Sequence, residues 1–208
     1  MKRDLAVLAA DLDAMAVLKE VLARPESLGI RPIDFLVDRH TGRDAGMVQS
    51  GPELARRYKT DFDRLILLWD HQGSGWERRF EAESAEAAIL RRLDGVTWKG
   101  ASAAVVMVPE LEEWLWHNPA ALRAYFGIDD AQLEAWTTEL AGKLGIPVTV
   151  VPCQNPKELF EHVVYSRLRR TISPRDFANI AKRASLVDWQ QSRSFKQLVT
   201  VLRGWFPP

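Results

Sequence analysis

Acids recur where the apolar runs of this chain end. Asp11 and Asp13 follow LAVLAA (5–10), Asp38 closes IDFLVD (33–38), Asp70 closes RLILLWD (64–70), and Glu110, Glu112 and Glu113 follow AAVVMVP (103–109). A single acid at such a place ordinarily caps the next helix or solvates a loop. Several converging on one edge repel one another unless they are spaced apart, protonated or bridged by a cation. Carboxylate oxygens, in a chain with 4 His and 1 Cys, suit magnesium or manganese rather than zinc. Cys153 alone forms neither an internal disulfide nor a multi-cysteine zinc site and is expected as a buried, unreactive thiol.

Three polar stretches could serve such acids. In HQGSG (71–75), His71 is either a general base working near neutrality or a solvated loop residue. Gly73-Ser74-Gly75 offers backbone N–H groups to a phosphate, but without the Lys and spacing of an ATP-binding P-loop. In VDRHTGRDAG (37–46), Arg39, His40 and Arg43 either clamp a phosphate or pair with their own neighbouring acids. SRLRR (166–170) supplies Arg167, Arg169 and Arg170, read as contacts to a nucleic-acid backbone or as cations at a helix end. Charge is split to match: the formal net charge is zero, while residues 155–208 carry +6 and the rest −6. Trp76 could stack on a base; Trp114, Trp116 and Trp136 fall on apolar helical faces and read as packing residues.

The elements that would position these groups are legible as alternating strands and helices. The four near-continuous apolar runs suit strands covered on both faces. Between them, residues 14–24, 51–59 and 83–93 have helical spacing of apolar positions. That order predicts an α/β fold, a mainly parallel Rossmannoid sheet flanked by helices, with ligands at the carboxyl ends of its strands. After Pro109 the pattern is helical, with VTVVP (148–152) as a possible further strand. Asp129 or Asp130 and Ser173 are predicted N-caps, and Gly127 and Gly145 helix ends. Residues 1–118 are expected to form the core and 119–208 a mostly helical C-terminal elaboration. No stretch reaches the roughly 20 apolar residues of a membrane span, and acids interrupt the first residues where a signal peptide would be apolar, so a cytoplasmic location is expected.

The order of elements, the acid-bearing turn after the first run, Asp70 after the third, and VPELEEWLW (108–116) together resemble the Toprim fold of primases, topoisomerases and overcoming-lysogenization-defect nucleases. They look more closely like the compact Toprim-like proteins found near bacterial defence and restriction genes. In that group a strand ending in Pro and an acid is followed by Glu-x-Trp, which Glu113-Trp114, or Glu112 with Trp114, would supply. NPKELFEHV (155–163) and SFKQLVTVL (194–202) resemble two C-terminal helices of the same group. The resemblance implies Mg2+- or Mn2+-dependent phosphodiester hydrolysis on nucleic acid. It implies roles for the acids after the first strand, Asp11 and Asp13, and for Asp70; with the readings above, catalysis is expected of Asp11, Asp13, Asp70, His71 and Glu113, and metal binding of Asp70 with Gln72, Asp38 and Glu110. The sequence departs from the Toprim pattern twice: an Asp stands where Glu is usual after the first strand, and Asp-x-Asp has become Asp70-His71-Gln72. A degenerate module that binds nucleic acid or other defence-system proteins is therefore the alternative. A doubly wound small-ligand domain is a third, though no glycine fingerprint follows the first strand.

Overall fold

The computed structural model describes residues 2–208. Four strands, β1 (Arg3–Ala9), β2 (Phe35–Arg39), β3 (Phe62–Asp70) and β4 (Ser102–Met107), form one all-parallel sheet in the order β2-β1-β3-β4. The connections are α1 (Leu12–Leu22) with the short α2 (Pro25–Leu28), then α3 (Arg43–Leu54) running into a 3-10 turn, then α4 (Ala82–Leu93). After β4 come α5 (Glu112–Trp116), α6 (Pro119–Phe126), α7 (Asp130–Leu144), α8 (Val151–Gln154), α9 (Pro156–Glu161), α10 (Pro174–Arg183), α11 (Leu186–Trp189) and α12 (Arg193–Trp205). Among the described residues no helix is long and apolar enough to cross a membrane.

The strands read as unbroken apolar runs because both faces are covered, and the two-residue period sorts their side chains. Leu5, Val7, Ala9, Ile66, Leu68, Val105 and Met107 join one cluster with α1 and the C-terminal helices. Ala6, Leu8, Leu65, Leu67, Trp69, Ala104 and Val106 join the other, under α3 and α4. Trp69 is fully buried on that second face; replacing it with Ala would cost about 3–5 kcal/mol. Residues on both sides of position 118, such as Leu115 and Phe177, share the first cluster.

Local chemistry fixes the helix starts. Asp11 Oδ1 accepts from the Ala14 N–H at 2.8 Å and caps α1, whose buried Ala14, Val17, Leu18, Val21 and Leu22 form one stripe. Asp129 with Gln132 and Ser173 with Asp176 form capping boxes at α7 and α10. Gly127 and Gly145 end α6 and α7 in the left-handed conformation, each at φ 69°.

Three expectations are corrected. The helix predicted over 51–59 runs instead from Arg43 to Leu54. Its glycines read as breakers but serve close packing: a Cβ on Gly46 would lie 2.4 Å from His40 Nδ1, and one on Gly51 3.1 Å from Leu67. VTVVP is no strand; Pro147 and Pro152 flank a 3-10 turn that passes into α8, and Pro supplies no N–H to a ladder. Cys153 is exposed rather than buried.

The open edge at β4 is closed by side chains. Glu86 of α4 accepts from the Val106 N–H at 2.9 Å, while from α12 Arg193 donates to the Val106 carbonyl and Gln197 to the Ala104 carbonyl, both at 3.1 Å.

Candidate functional site

β1 sends its connection to one face of the sheet and β3 sends its own to the other. Between the carboxyl ends of two such strands a parallel sheet opens a crevice. Here it is a cleft of about 390 Å3, lined by Asp70 together with Asp11, Asp13, Glu112 and Lys157. The Ala10 N–H donates to the Leu68 carbonyl at 3.0 Å, so the turn carrying Asp11 stays against β3. Asp70 Oδ1 accepts from the Leu111 N–H at 2.9 Å, which ties the start of α5 to the same place. The Asp70 N–H in turn donates to Asp44 Oδ1 at 2.8 Å, bringing in the first turn of α3.

These acids crowd one another. Enclosure by the surrounding chain, then the charges of Asp44, Glu112, Asp11 and Glu110, hold the Asp70 carboxyl well above the usual carboxylate range. Burial raises Asp44 as well, Asp11 adding to it and the Asp70 N–H opposing. Asp13 is pushed up to about 6 by burial and by Asp11, with Lys157 and Arg43 acting the other way. Glu112 goes to about 8, chiefly through burial; its own backbone N–H opposes the rise, and Glu110 and Asp13 add to it. Glu110 is likewise raised by burial, while Lys157 opposes. Lys157 is a cation beside them, its Nζ 3.6 Å from Glu110 Oε1. Burial disfavours its charge, but Glu110, Glu112 and Asp70 outweigh that and raise its pKa.

The donor set, hard carboxylate oxygens raised above their ordinary proton affinity by burial first and by neighbouring acids second, fits Mg2+ or Mn2+ in kind. Among the described residues no three His, Cys, Asp or Glu side chains are drawn together tightly enough to close on one ion as they stand.

Of the residues singled out from sequence, Asp11, Asp13 and Asp70 line this cleft together with Arg39 and Arg43, and Glu110 borders it through Lys157. Arg43 is held at φ 52°, a left-handed conformation uncommon for a residue with a side chain. Asp38 does not reach the cleft. Its register opposite Leu8 turns it to the α3 face, where it accepts from Tyr58 Oη at 2.7 Å, Arg57 at 2.5 Å and the Arg39 N–H at 2.8 Å. Burial works against its charge, yet these donors hold its carboxyl below the usual value.

Glu113 is also turned away. Adjacent positions on a helix lie on different faces, and at α5 it is Glu112 that meets the cleft. Glu113 pairs with His117 and lines a separate pocket with His71 and Arg193. His71 Nε2 is bonded to the Phe80 carbonyl at 2.8 Å, and Gln72 is exposed, held by its backbone N–H to the Pro109 carbonyl. Ser74 closes its glycine loop on itself, donating to the His71 carbonyl and accepting from the Trp76 N–H. Trp76 packs on Phe80 with ring centroids 4.9 Å apart, and His40 is buried against Ser50 and the Gly42 N–H.

The basic run divides. Arg167 pairs with Glu139, and Arg170 reaches Asp176 at 3.3 Å while lying over the Phe126 ring. Arg169, at φ 54°, faces a groove shared with Arg170, Arg175 and Tyr125.

Sequence reasoning passed over Asp44 and Lys157. Asp44 sits in a stretch that reads as loop; an acid in the first turn of a helix is the signal that could have found it. Lys157 enters the sequence reading through the basic tail and the helix NPKELFEHV but not as a site residue, although Asn155-Pro156-Lys157 marks a helix start at the cleft. No family model matches the chain, and no curated protein or solved structure matches it either.

Proposed function

We propose that the cleft is a Toprim-like site for divalent-metal-dependent phosphodiester hydrolysis on nucleic acid, in a bacterial anti-phage defence or DNA-processing system. One observation carries this reading: Asp13, Asp70 and Glu112, from three separate elements, line one cleft with Lys157 and Arg43, and the Asp70 N–H holds Asp44 of a fourth element beside them at 2.8 Å. Asp70 and Asp13, with Asp44 beside them, are the residues that would hold Mg2+ or Mn2+. When bound, the ion supplies charge neutralisation at phosphate and a more acidic water. Lys157 and Arg43 stand at the same cleft to meet phosphate oxygens.

The test is thermal melting of the full chain with and without Mn2+, then incubation with DNA and RNA, for wild type and Asp70→Asn. The variant keeps an oxygen to accept from Leu111, so its fold is preserved. Mn2+ is expected to raise the wild-type Tm, more at pH 8 than at pH 6 because the ligands must be ionised, and cleavage is expected to fall to background in the variant. Equal Tm shifts and equal cleavage in both proteins would remove the reading.

A second reading, a degenerate module that binds nucleic acid or a partner protein in a defence complex, is favoured by the orientation of His71 and Gln72. Both residues that follow Asp70 turn away from the cleft, leaving one carboxylate where the Toprim pattern has two. Mn2+-independent nucleic-acid binding without cleavage would select it.

A further inference from the structure

The acid cleft has a second wall that phosphate chemistry does not use. Leu12 is 42 % exposed and Tyr165 is 46 % exposed, among the most open large apolar side chains of the chain, and both line the cleft beside Ile172. Exposed apolar and aromatic surface facing a charged floor is the composition expected where a ligand has a flat apolar part and an anionic part. The wall also leads somewhere. Ser173 lines both this cleft and the adjoining groove that holds Arg169 and Arg175. Those two arginines are exposed and make no ion pair among the described residues, whereas Arg167 and Arg170 are already paired.

We propose that the cleft takes an unpaired nucleotide of a single strand, its base against Tyr165 and Leu12 and its neighbouring phosphates along Arg169 and Arg175. The inference rests on the phosphate reading above and names its substrate class. Size and chemistry favour a single strand over a duplex. A cleft of about 390 Å3 lies near the small end of the roughly 300–1,000 Å3 range of ligand pockets. A base stacked inside a duplex would have to leave its stack to reach the wall. An aromatic platform beside a cationic track is the arrangement by which single strands are held, with every base able to offer a π-face.

Fluorescence anisotropy with the full chain in Ca2+ tests this, using a labelled 12-nucleotide DNA strand, its RNA counterpart and the corresponding duplex. The single strands are expected to bind at least about tenfold tighter than the duplex. Tyr165→Ala should weaken single-strand binding roughly tenfold and leave the duplex unaffected, while Tyr165→Phe restores it. Arg169→Ala with Arg175→Ala should flatten the slope of log K against log salt by about 1.4, or roughly 0.7 for each phosphate no longer neutralised. Tyr165 is a surface side chain, so a variant with an unchanged melting temperature reports on binding alone. Duplex binding equal to or tighter than single-strand binding, or no effect of Tyr165→Ala, overturns the inference. If duplex is preferred while cleavage still depends on Asp70, only the single-strand inference fails; if no strand binds and none is cleaved, the phosphate reading fails with it.

Discussion

Asp38 and Asp70 close two strands of one sheet with the same residue type, and the molecule treats them in opposite ways. Asp38 is surrounded by donors, Tyr58, Arg57 and the Arg39 N–H, and its carboxyl sits below the usual range. Asp70 receives the Leu111 N–H and otherwise faces Asp44, Glu112, Asp11 and Glu110, which with burial hold it well above that range. The two-residue period of the strands separates them: Asp38 shares the α3 face with Leu8, and Asp70 is registered with Met107 on the face of α1. An acid at the end of an apolar run marks a rim position; the face it turns to decides whether it locks a loop or leaves charge unsatisfied.

That contrast can be attacked first through pH. Glu112 goes from about 4.5 to about 8 on folding and Asp13 from about 3.8 to about 6. Between roughly pH 4 and pH 8 the folded chain therefore binds more protons than the unfolded one, and this cluster makes stability fall as pH rises through that window. Glu112→Gln is expected to stabilise the protein at pH 8.5 by a few kcal/mol, on the order of the linkage of a shift that size, and to leave it nearly unchanged at pH 4.5. Urea unfolding at both pH values measures this; an equal effect of the substitution at the two pH values would mean that folding does not hold Glu112 above its ordinary range. Lys157→Met, without divalent cations, should act in the reverse sense at pH 8. Breaking a buried pair costs about 3–5 kcal/mol, and with the lysine side chain 49 % exposed solvent screening brings the expected loss to about 1–2 kcal/mol. Added Mn2+ should recover part of the lost Tm.

The smallest effect belongs to the settled partner. Asp38→Asn should cost about 0.5–1 kcal/mol at pH 7, a value kept low by the exposure of its ion pair. Because the folded carboxyl is depressed, its contribution is present above the unfolded value near 3.8 and lost as pH falls below it. Denaturation of wild type and variant at pH 7 and pH 2.5 should thus show a difference only at the higher pH. A variant that instead shifts like Glu112→Gln would erase the distinction between the two aspartates.

Much of the frame was legible because strand burial on both faces writes itself as unbroken apolar runs: all four strands begin and end within two residues of the predicted positions. The α3 helix was not, since Gly46, Gly51 and Pro52 look like breakers until His40 and Leu67 are seen pressed against the glycines. The cleft was half legible. Asp11, Asp13 and Asp70 follow from strand ends alone, whereas choosing Glu112 over Glu113 needs the rotation of a five-residue helix, and finding Asp44 needs α3 itself. Lys157 lies more than 80 residues from Asp70, a separation that local pattern cannot bridge.

The last helix has a role beyond packing. Glu86, Arg193 and Gln197 occupy the Val106 N–H and the Val106 and Ala104 carbonyls that β4 would otherwise present to a neighbour, so this edge of the ladder is a poor template for a further strand. Shortening the chain ahead of Arg193 would strip two of those three groups away at once, and the vacated carbonyls would invite molecules to polymerise through their sheets.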